Sequence, residues 1–325
     1  MRIVPEVRKI ILCFLATASL GACNALNAPD RSDSSQHPES SYCGAAQAQS
    51  YSGATTAISG NAKFQYRALS LSGSCQGLCG DPVSLNIPFA EIHVVDSAGG
   101  IIQCAETDAS GNFSNVQIPQ TAGTYSVQVL SRANNAKVKV SVLEDIYSAA
   151  PYTVEQSITL TSGQASASVN LVASARATTS SKIPGAAFNI LADIYWANEF
   201  LRAQTGNASF VADKSTVFWK AGFNPYSYFG APNSLVSFYI ASEDRLYILG
   251  GKNGDVKNSD TDHFDDSVVI HEYGHFLEAH YGHSDSPGGS HNGDFIIDPR
   301  LAWSEGWANY FQGAVLDKVV YAAGT

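Results

Sequence analysis

The stretch His271-Glu-Tyr-Gly-His275 constrains the fold of this chain more than any other part of the sequence. On an α-helix, residues four apart lie one turn apart on the same face, so the two imidazoles can bind a single metal ion. Glu272 follows the first histidine and points near that ion, where a general base takes a proton from water. Asp265 and Asp266 precede an apolar run, and this acidic N-cap predicts a helix that begins just before the motif.

A catalytic zinc site uses three protein ligands and keeps a fourth position open. The predicted third ligand is Glu305, because Ala302–Phe311 has the spacing of a second helix that presents this carboxylate to the first. Tyr281 stands where metzincin peptidases carry a third histidine, so that ligand set does not fit. His280 and His283 follow the motif, and we interpret both as solvated surface residues.

Two short motifs carry a family resemblance. They are His-Glu-Tyr-Gly-His-Phe at 271–276 and Trp-Ser-Glu-Gly-Trp-Ala-Asn at 303–309. Together they resemble the gluzincin metallopeptidases, which bind zinc through two histidines and one glutamate. The segments 260–266 and 288–294 further resemble a group of bacterial lipoproteins that contain this peptidase domain. The likeness extends over residues 259–311.

The resemblance implies a zincin-like fold and hydrolysis of peptide bonds within a peptide or protein substrate. The implied Zn²⁺ ligands are His271, His275 and Glu305, and the implied general base is Glu272. Asn309 lies one turn after Glu305, where thermolysin-like members place a carboxylate that accepts a hydrogen bond from the first histidine. We therefore expect the amide oxygen of Asn309 to act as an outer partner of His271, that is, to accept a hydrogen bond from the ring nitrogen that does not bind the metal.

Gluzincins also carry a histidine or tyrosine, often well past the ligand glutamate, that stabilises the oxyanion. This sequence ends at Thr325, soon after Glu305. We therefore expect either a sequence shortened at its C-terminus or a substitute residue. The possible substitutes are His291, Tyr310 and Tyr321, and His291 is the candidate catalytic residue among them.

Residues 1–22 have the sequence of segments that is typical of a lipoprotein signal peptide. Basic residues precede an apolar run at Ile10–Leu20, which is too short to span a bilayer. The run ends in Leu-Gly-Ala-Cys23, which resembles a bacterial lipobox and implies cleavage before Cys23 and lipid attachment to its thiol. Asn24 rather than Asp follows, which implies export across the inner membrane and anchoring in the outer membrane. An ordinary signal peptide cleaved nearby is the alternative.

The composition changes near residue 62. Residues 23–61 are rich in Ser, Ala, Gln and Gly, and we expect them to form a flexible tether from the membrane. Residues 62–175 alternate apolar and polar side chains between turn signals, which predicts an all-β antiparallel sandwich. Within it, Ile87–Arg132 resembles the carboxypeptidase-regulatory-like, transthyretin-type sandwich, a spacer or binding module. The alternating runs include Phe64–Ala68, Ala90–Val94, Tyr125–Val129, Val138–Val142 and Ala167–Leu171.

Four of the six cysteines remain after the signal segment and the lipidated Cys23 are set aside. Outside the cytoplasm, four thiols predict up to two disulfides with three possible pairings. Cys75 and Cys79 have the spacing of a metal-binding pair, but no second close pair accompanies them, which favours oxidation. The disulfide candidates are Cys43, Cys75, Cys79 and Cys104.

Residues 183–325 are predicted to form an α+β zincin-like catalytic domain. Helical spacing predicts a long helix at its start, and apolar stretches at 211–219, 235–240 and 245–249 predict strands. In gluzincins, the strand ahead of the motif helix is a sheet edge that pairs with the substrate backbone. By resemblance, residues 246–251 form that edge, and an interior strand is the alternative.

The expected fold class is multidomain, an all-β antiparallel sandwich followed by an α+β zincin-like metallopeptidase domain.

The net charge of −10 argues against nucleic acid as a partner, because phosphates bind basic patches. The expected function is zinc-dependent peptide-bond hydrolysis by a membrane-anchored lipoprotein. The alternative is a non-catalytic surface lipoprotein or adhesin with a degenerate or incomplete metallopeptidase domain. An exopeptidase needs residues that capture a chain terminus, and the sequence identifies none.

Overall fold

The computed structural model describes residues 39–68, 80–144, 146, 149–176, 182–229, 234–251, 260–289 and 296–322, with side chains as far as residue 317. The predicted signal segment 1–22 and the site candidates Cys23, Cys75, Cys79 and His291 lie outside these residues. Within the described ranges, no helix has both the length and the apolar character needed to cross a bilayer.

The described part of the chain is rich in β-strands, with several sheets and a few helices. The strands are β1 (Thr55–Tyr66), β2 (Val83–Asn86), β3 (Glu91–Val95), β4 (Ile101–Glu106), β5 (Asn112–Pro119), β6 (Gly123–Leu130), β7 (Arg132–Asn134), β8 (Lys139–Leu143), β9 (Thr153–Leu160), β10 (Ser166–Ala173), β11 (Ser215–Phe218), β12 (Phe238–Ile240) and β13 (Arg245–Tyr247). The α-helices are α1 (Pro184–Thr205), α2 (Pro225–Tyr228), α3 (Asp266–Tyr281) and α4 (Pro299–Ala322).

Two four-stranded sheets in the N-terminal half contribute to one apolar core. In the first, β1 pairs with β10, β2 and β5, and in the second the order is β4-β3-β6-β9. Ile58 of the first sheet and Ile92 of the second are both fully buried in this core. One pairing departs from the predicted antiparallel arrangement, because β1 and β10 run parallel, with Ala62 beside Leu171. These two strands are far apart in the chain, so no hairpin turn forces them to run antiparallel.

A third sheet of five strands contains strands from both predicted domains, residues 62–175 and residues 183–325. Its order is β12-β13-β11-β8-β7, so two strands from the predicted sandwich region 62–175 lie beside strands from 183–325. β8 and β11 run parallel, with Val142 beside Val217, and both side chains are fully buried. α1 packs on both β1 and β8. The predicted domain boundary therefore crosses a shared sheet, because the apolar strand β8 is buried against the second region.

The segment predicted as a flexible tether packs on the sandwich from residue 39 onward. Cys43 forms a disulfide with Cys104, with Cα atoms 5.3 Å apart, and its backbone N–H donates to Glu91 at 2.8 Å. β1 then begins at Thr55, within the predicted tether. The tether prediction is therefore wrong for the described residues up to 61, because contacts distant in sequence hold a segment whose composition is polar.

Helix α1 has clear start and stop signals in the sequence. Pro184 occupies its first turn, and Gly206 ends it in the left-handed conformation, with φ of 67°. The helix buries a nearly continuous apolar run that includes Phe188 and Leu191. It packs on the sheets on one side and on α3 and α4 on the other. This helix therefore links the β-rich core to the pair of helices that carry the two motifs.

Candidate metal centre

Helix α3 presents both motif histidines on one face. Asp265 is its N-cap, and the carboxylate accepts hydrogen bonds from the backbone N–H groups of Ser267 at 3.1 Å and Val268 at 3.4 Å. The opposite face is apolar and anchors the helix in the core. Its fully buried residues are Val269, Tyr273 and Phe276.

Helix α4 crosses α3 at a close contact centred on Gly274. A Cβ at that position would lie 3.2 Å from Cα of Ala308, which is tighter than most packed contacts. The indole Nε1 of Trp307 also donates to the backbone oxygen of Gly274 at 3.0 Å. α4 is longer than the predicted helix at 302–311, and its crossing places Glu305 opposite the two histidines.

Three donor atoms from the two helices converge on one point. Nε2 of His271 lies 3.1 Å from Nε2 of His275 and 3.2 Å from Oε2 of Glu305. The other carboxylate oxygen of Glu305, Oε1, lies 3.5 Å from Nε2 of His275. A tetrahedral ion with bonds of about 2.0–2.1 Å holds its ligand atoms about 3.3 Å apart, so this donor set fits Zn²⁺. The three side chains are each 15–17% exposed, which leaves one side of the cluster open.

A second pair of side chains contacts the ring of His275 on the side of Nδ1, opposite the cluster. Its Nδ1 lies 3.2 Å from Oγ of Ser304, and that hydroxyl donates to Oε2 of Glu278 at 2.5 Å. Ser304 and Glu278 are 4% and 8% exposed, so water competes little for these bonds. An outer carboxylate of this kind fixes ring orientation and raises the basicity of a ligand histidine.

Asn309 does not take the role predicted for it. The residue is exposed, and its amide oxygen accepts from Gln312 rather than from His271. The reason is the geometry of α4, because one turn beyond Glu305 the helix surface at residue 309 faces solvent. The outer partner in the structure is instead Ser304, one residue before Glu305, and it serves His275.

The charges around His275 favour its protonated form when no cation is present. Burial alone lowers the pKa of this imidazole, but hydrogen bonds to Glu278 and Glu305 and the nearby charge of Glu272 outweigh burial and raise it to about 10. A site that holds a proton this firmly has the negative potential that also attracts a cation. Cation binding there must displace the proton.

Glu272 lies beside the ligand cluster without belonging to it. Its side chain is 8% exposed, and its charge contributes to the raised pKa of His275. The three converging donor atoms do not include its carboxylate. Glu272 is therefore close enough to the cluster for its charge to act on the ring of His275.

The sheet beside α3 ends in β12. β13 pairs with β11 on one side and with β12 on the other, so the segment at 246–251 continues from an interior strand and not from the expected edge. Among the described strands of this sheet, β12 forms the edge nearer to α3. The ring of Tyr239 in β12 packs edge-on against Phe276 of α3, with centroids 6.0 Å apart.

His280 and His283 do not belong to the cluster. His280 is close to two aspartates, 2.7 Å from Asp244 and 3.4 Å from Asp213, and His283 is exposed. The sequence analysis did not identify Ser304 or Glu278. The available signals were the spacing of Glu278 three residues after His275 and the position of Ser304 directly before the ligand glutamate.

Comparison with known proteins relates this region to metallopeptidases. Residues 211–325 match the family model described as the Mycolysin C-terminal domain, a domain of zinc metallopeptidases. The matched range contains His271, His275 and Glu305. An uncharacterized protein of Archaeoglobus fulgidus is 47% identical over 51 residues, which cover 15% of each chain. The chain thus spans only a small part of that relative's length. No solved structure matches the chain significantly.

Proposed function

We propose that the chain is a zinc-dependent peptidase that cleaves peptide bonds within a peptide or protein substrate. The observation that carries the proposal is the convergence of one ligand atom each from His271, His275 and Glu305, all within 4.8 Å of one another. The adjacent Glu272 supports catalysis over a purely structural metal site, because a structural site closes its fourth position with a protein ligand. The family match at residues 211–325 supports the same conclusion.

Each side chain has a distinct task in this mechanism. Zn²⁺ held by the three ligands supplies a Lewis acid and lowers the pKa of water toward about 7. Glu272 accepts the proton of the attacking water and returns it to the nitrogen of the leaving amine. Ser304 and Glu278 hold the ring of His275 so that Nε2 stays directed at the other ligands. Stabilisation of the oxyanion by His291 stays a prediction.

The substrate backbone is proposed to lie along β12. This strand has an open edge among the described residues and packs directly against α3. An extended peptide that adds to such an edge is held by main-chain hydrogen bonds, which tolerate many side chains. An extended bound chain also presents its interior peptide bonds to the cluster, which favours endopeptidase action.

Metal content and casein hydrolysis of matched variants test this proposal. Wild type should contain one equivalent of zinc and lose activity with a chelator. Glu272→Gln should keep the zinc but lose hydrolysis by about 100-fold or more, because general-base assistance is absent. His271→Ala should lose both properties. His280→Ala, on the same helix but outside the cluster, is the control that keeps both. Zinc binding without hydrolysis in wild type would support the non-catalytic lipoprotein instead.

We also propose that the protein is exported and lipid-anchored through Cys23 in the outer membrane. The apolar run at Ile10–Leu20 and the lipobox-like Leu-Gly-Ala-Cys support this. Metabolic labelling with palmitate tests it, since wild type should incorporate label and partition with membranes. Cys23→Ser should do neither. Label in the variant would contradict the anchor, and unlabelled soluble wild type would support an ordinary signal peptide.

A further inference from the structure

A second oxygen-rich cluster lies between α1 and the start of α3, distinct from the histidine cluster. It consists of Asp193, Asn189, Asp266 and the backbone carbonyl of His263, and we call it the Asp193 cluster. Nδ2 of Asn189 lies 3.2 Å from Oδ2 of Asp193, 2.8 Å from Oδ1 of Asp266 and 3.4 Å from the His263 oxygen. Three oxygens, one from α1 and two from the start of α3 and the residues just before it, therefore surround the amide nitrogen of Asn189.

The hydrogen bonds of the Asp193 cluster are incomplete. An amide NH₂ group has two hydrogens, so Asn189 cannot fully satisfy three acceptors. Asp193 is fully buried, and its second carboxylate oxygen, Oδ1, has no hydrogen-bond partner among the described residues. A buried carboxylate oxygen without a partner is unfavourable by several kcal/mol in general, so such a group implies a missing ligand or proton.

The charge of the Asp193 cluster is also unbalanced. The charged groups that act on Asp193 are the carboxylates of Asp266 and Asp265, and together with burial they raise its pKa well above the ordinary value. None of the ion pairs recorded among the described side chains includes Asp193 or Asp266. The buried carboxylate of Asp193 and the partly buried carboxylate of Asp266 thus face the same neutral amide, an arrangement that a cation would stabilise.

We propose that the Asp193 cluster is a calcium site that ties α1 to the first turn of the motif helix. The two carboxylates and the His263 carbonyl offer oxygen atoms, which hard divalent cations prefer over nitrogen or sulfur ligands. The amide of Asn189 presents its oxygen instead of its nitrogen after a half-turn about the terminal side-chain bond. The ligands are then both carboxylates, this amide oxygen and the His263 carbonyl, with water completing the coordination. Asp266 is only partly buried and provides the approach from solvent.

Spacing along the chain supports a shared site. Asn189 and Asp193 lie four residues apart on α1 and therefore on one face of the helix. Asp266 occupies the first turn of α3, five residues before His271. A cation bound here would restrain the start of the helix that carries the histidines. The site itself does not depend on zinc or on peptidase activity.

Thermal unfolding of the full chain in calcium-free and calcium-containing buffers tests the proposal. Calcium should raise the melting temperature of wild type, with half-saturation at about 0.1–1 mM, the range of extracellular calcium modules. Asp193→Asn and Asp266→Asn should each raise the calcium concentration at half-saturation at least tenfold. Asp285→Asn removes the same charge at an exposed position and should respond like wild type.

Terbium luminescence provides a second readout that does not depend on variant stability. Trp219 lies against His263, with ring centroids 4.9 Å apart, so its excitation should sensitise Tb³⁺ bound at the cluster. In wild type, calcium should displace Tb³⁺ and reduce its luminescence. In Asp266→Asn, the sensitised luminescence should be absent. His271→Ala should keep the calcium response, which separates this site from the zinc proposal. A wild-type melting temperature that is insensitive to calcium, or equal responses in all variants, would overturn the site in favour of a proton shared by the two carboxylates.

Discussion

Gly274 of α3 and Ala308 of α4 touch so closely that a Cβ at residue 274 would lie 3.2 Å from the Ala308 Cα. The adjacent bond from Trp307 to the Gly274 carbonyl fixes the rotation of α4 at the same crossing. Because Glu305 lies three residues before Ala308 on α4, this crossing determines the distance between its carboxylate and the two histidines. Helix packing thus sets the geometry of the cluster.

Enlarging Gly274 should therefore weaken metal binding. In Gly274→Val, the added side chain pushes α4 outward, which should lower the free energy of unfolding by about 1–3 kcal/mol and separate Glu305 from the histidines. We expect zinc affinity, measured by competition with a chromophoric chelator, to fall at least tenfold. Gly313→Val on α4 is the control, since a Cβ there meets no atom within 4 Å. Equal zinc affinity in both variants would show that the crossing does not set the site.

The hydroxyl of Ser304 and the carboxylate of Glu278 should contribute to zinc affinity without touching the metal. Removing the Ser304 hydroxyl takes away the direct partner of His275 Nδ1, and removing the Glu278 charge weakens the acceptor of that hydroxyl. Such changes typically reduce metal affinity about 10–100-fold. We expect this loss in Ser304→Ala and in Glu278→Gln, measured by the same competition. Ser304→Thr keeps the hydroxyl and should restore most of the affinity. Wild-type affinity in both Ser304→Ala and Glu278→Gln would refute this role.

Sequence periodicity located α1, α3, α4 and most strands correctly, whereas the short helix α2 was not predicted. The N-cap Asp265, the first-turn proline of α1 and the alternating run Tyr125–Val129 are local signals, and each lies in the element it predicts. The spacing of His271 and His275 likewise depends only on helix geometry. Such features can be predicted because they depend on residues within a turn or two of one another.

Features that depend on long-range packing were missed or placed wrongly. Nothing near Val140 in the sequence reveals that β8 pairs with β11, more than seventy residues later. Asn309 was expected by family analogy to accept a hydrogen bond from His271, but it is exposed, and the rotation of α4 instead brings Ser304 to the ring of His275. The polar segment around Cys43 is held by Glu91 and Cys104, both distant in sequence. Each error concerns a contact that only the tertiary fold creates.

The sheet shared by β8 and β11 predicts that residues 183–325 will not fold well alone. Without β8, the strand β11 has an exposed apolar edge, and α1 loses the surfaces of β1 and β8 on which it packs. Exposed edges of this kind promote aggregation. We expect the isolated fragment to elute as aggregates in size-exclusion chromatography, whereas the full chain does not. A monomeric fragment with wild-type zinc affinity would instead support an independent catalytic domain.

Glu91 should make folding stability sensitive to acid. Its fully buried carboxylate is 2.5 Å from Nε of Arg132 and 2.6 Å from Nε2 of His93. Burial alone raises the pKa of Glu91, but the bonds from His93 and Arg132 outweigh burial and hold the pKa below its ordinary value near 4.5. The folded state therefore favours the ionised form more than the unfolded state does. This contribution is fully present above pH 4.5 and is lost as the pH falls through the folded pKa.

Replacing Glu91 by glutamine tests this dependence. Glu91→Gln removes the closest counter-charge of the buried Arg132 guanidinium and leaves only Glu39 at 3.8 Å, so the free energy of unfolding at pH 7 should fall by about 3 kcal/mol. Urea titrations between pH 3 and 7 should show a shallower decline of stability toward acid in the variant than in wild type. Glu155→Gln removes a charge from an exposed position on β9 and should change stability by less than about 0.5 kcal/mol. Parallel pH profiles for wild type and Glu91→Gln would contradict the assigned role, because the buried ion pair would then contribute nothing that protonation can remove.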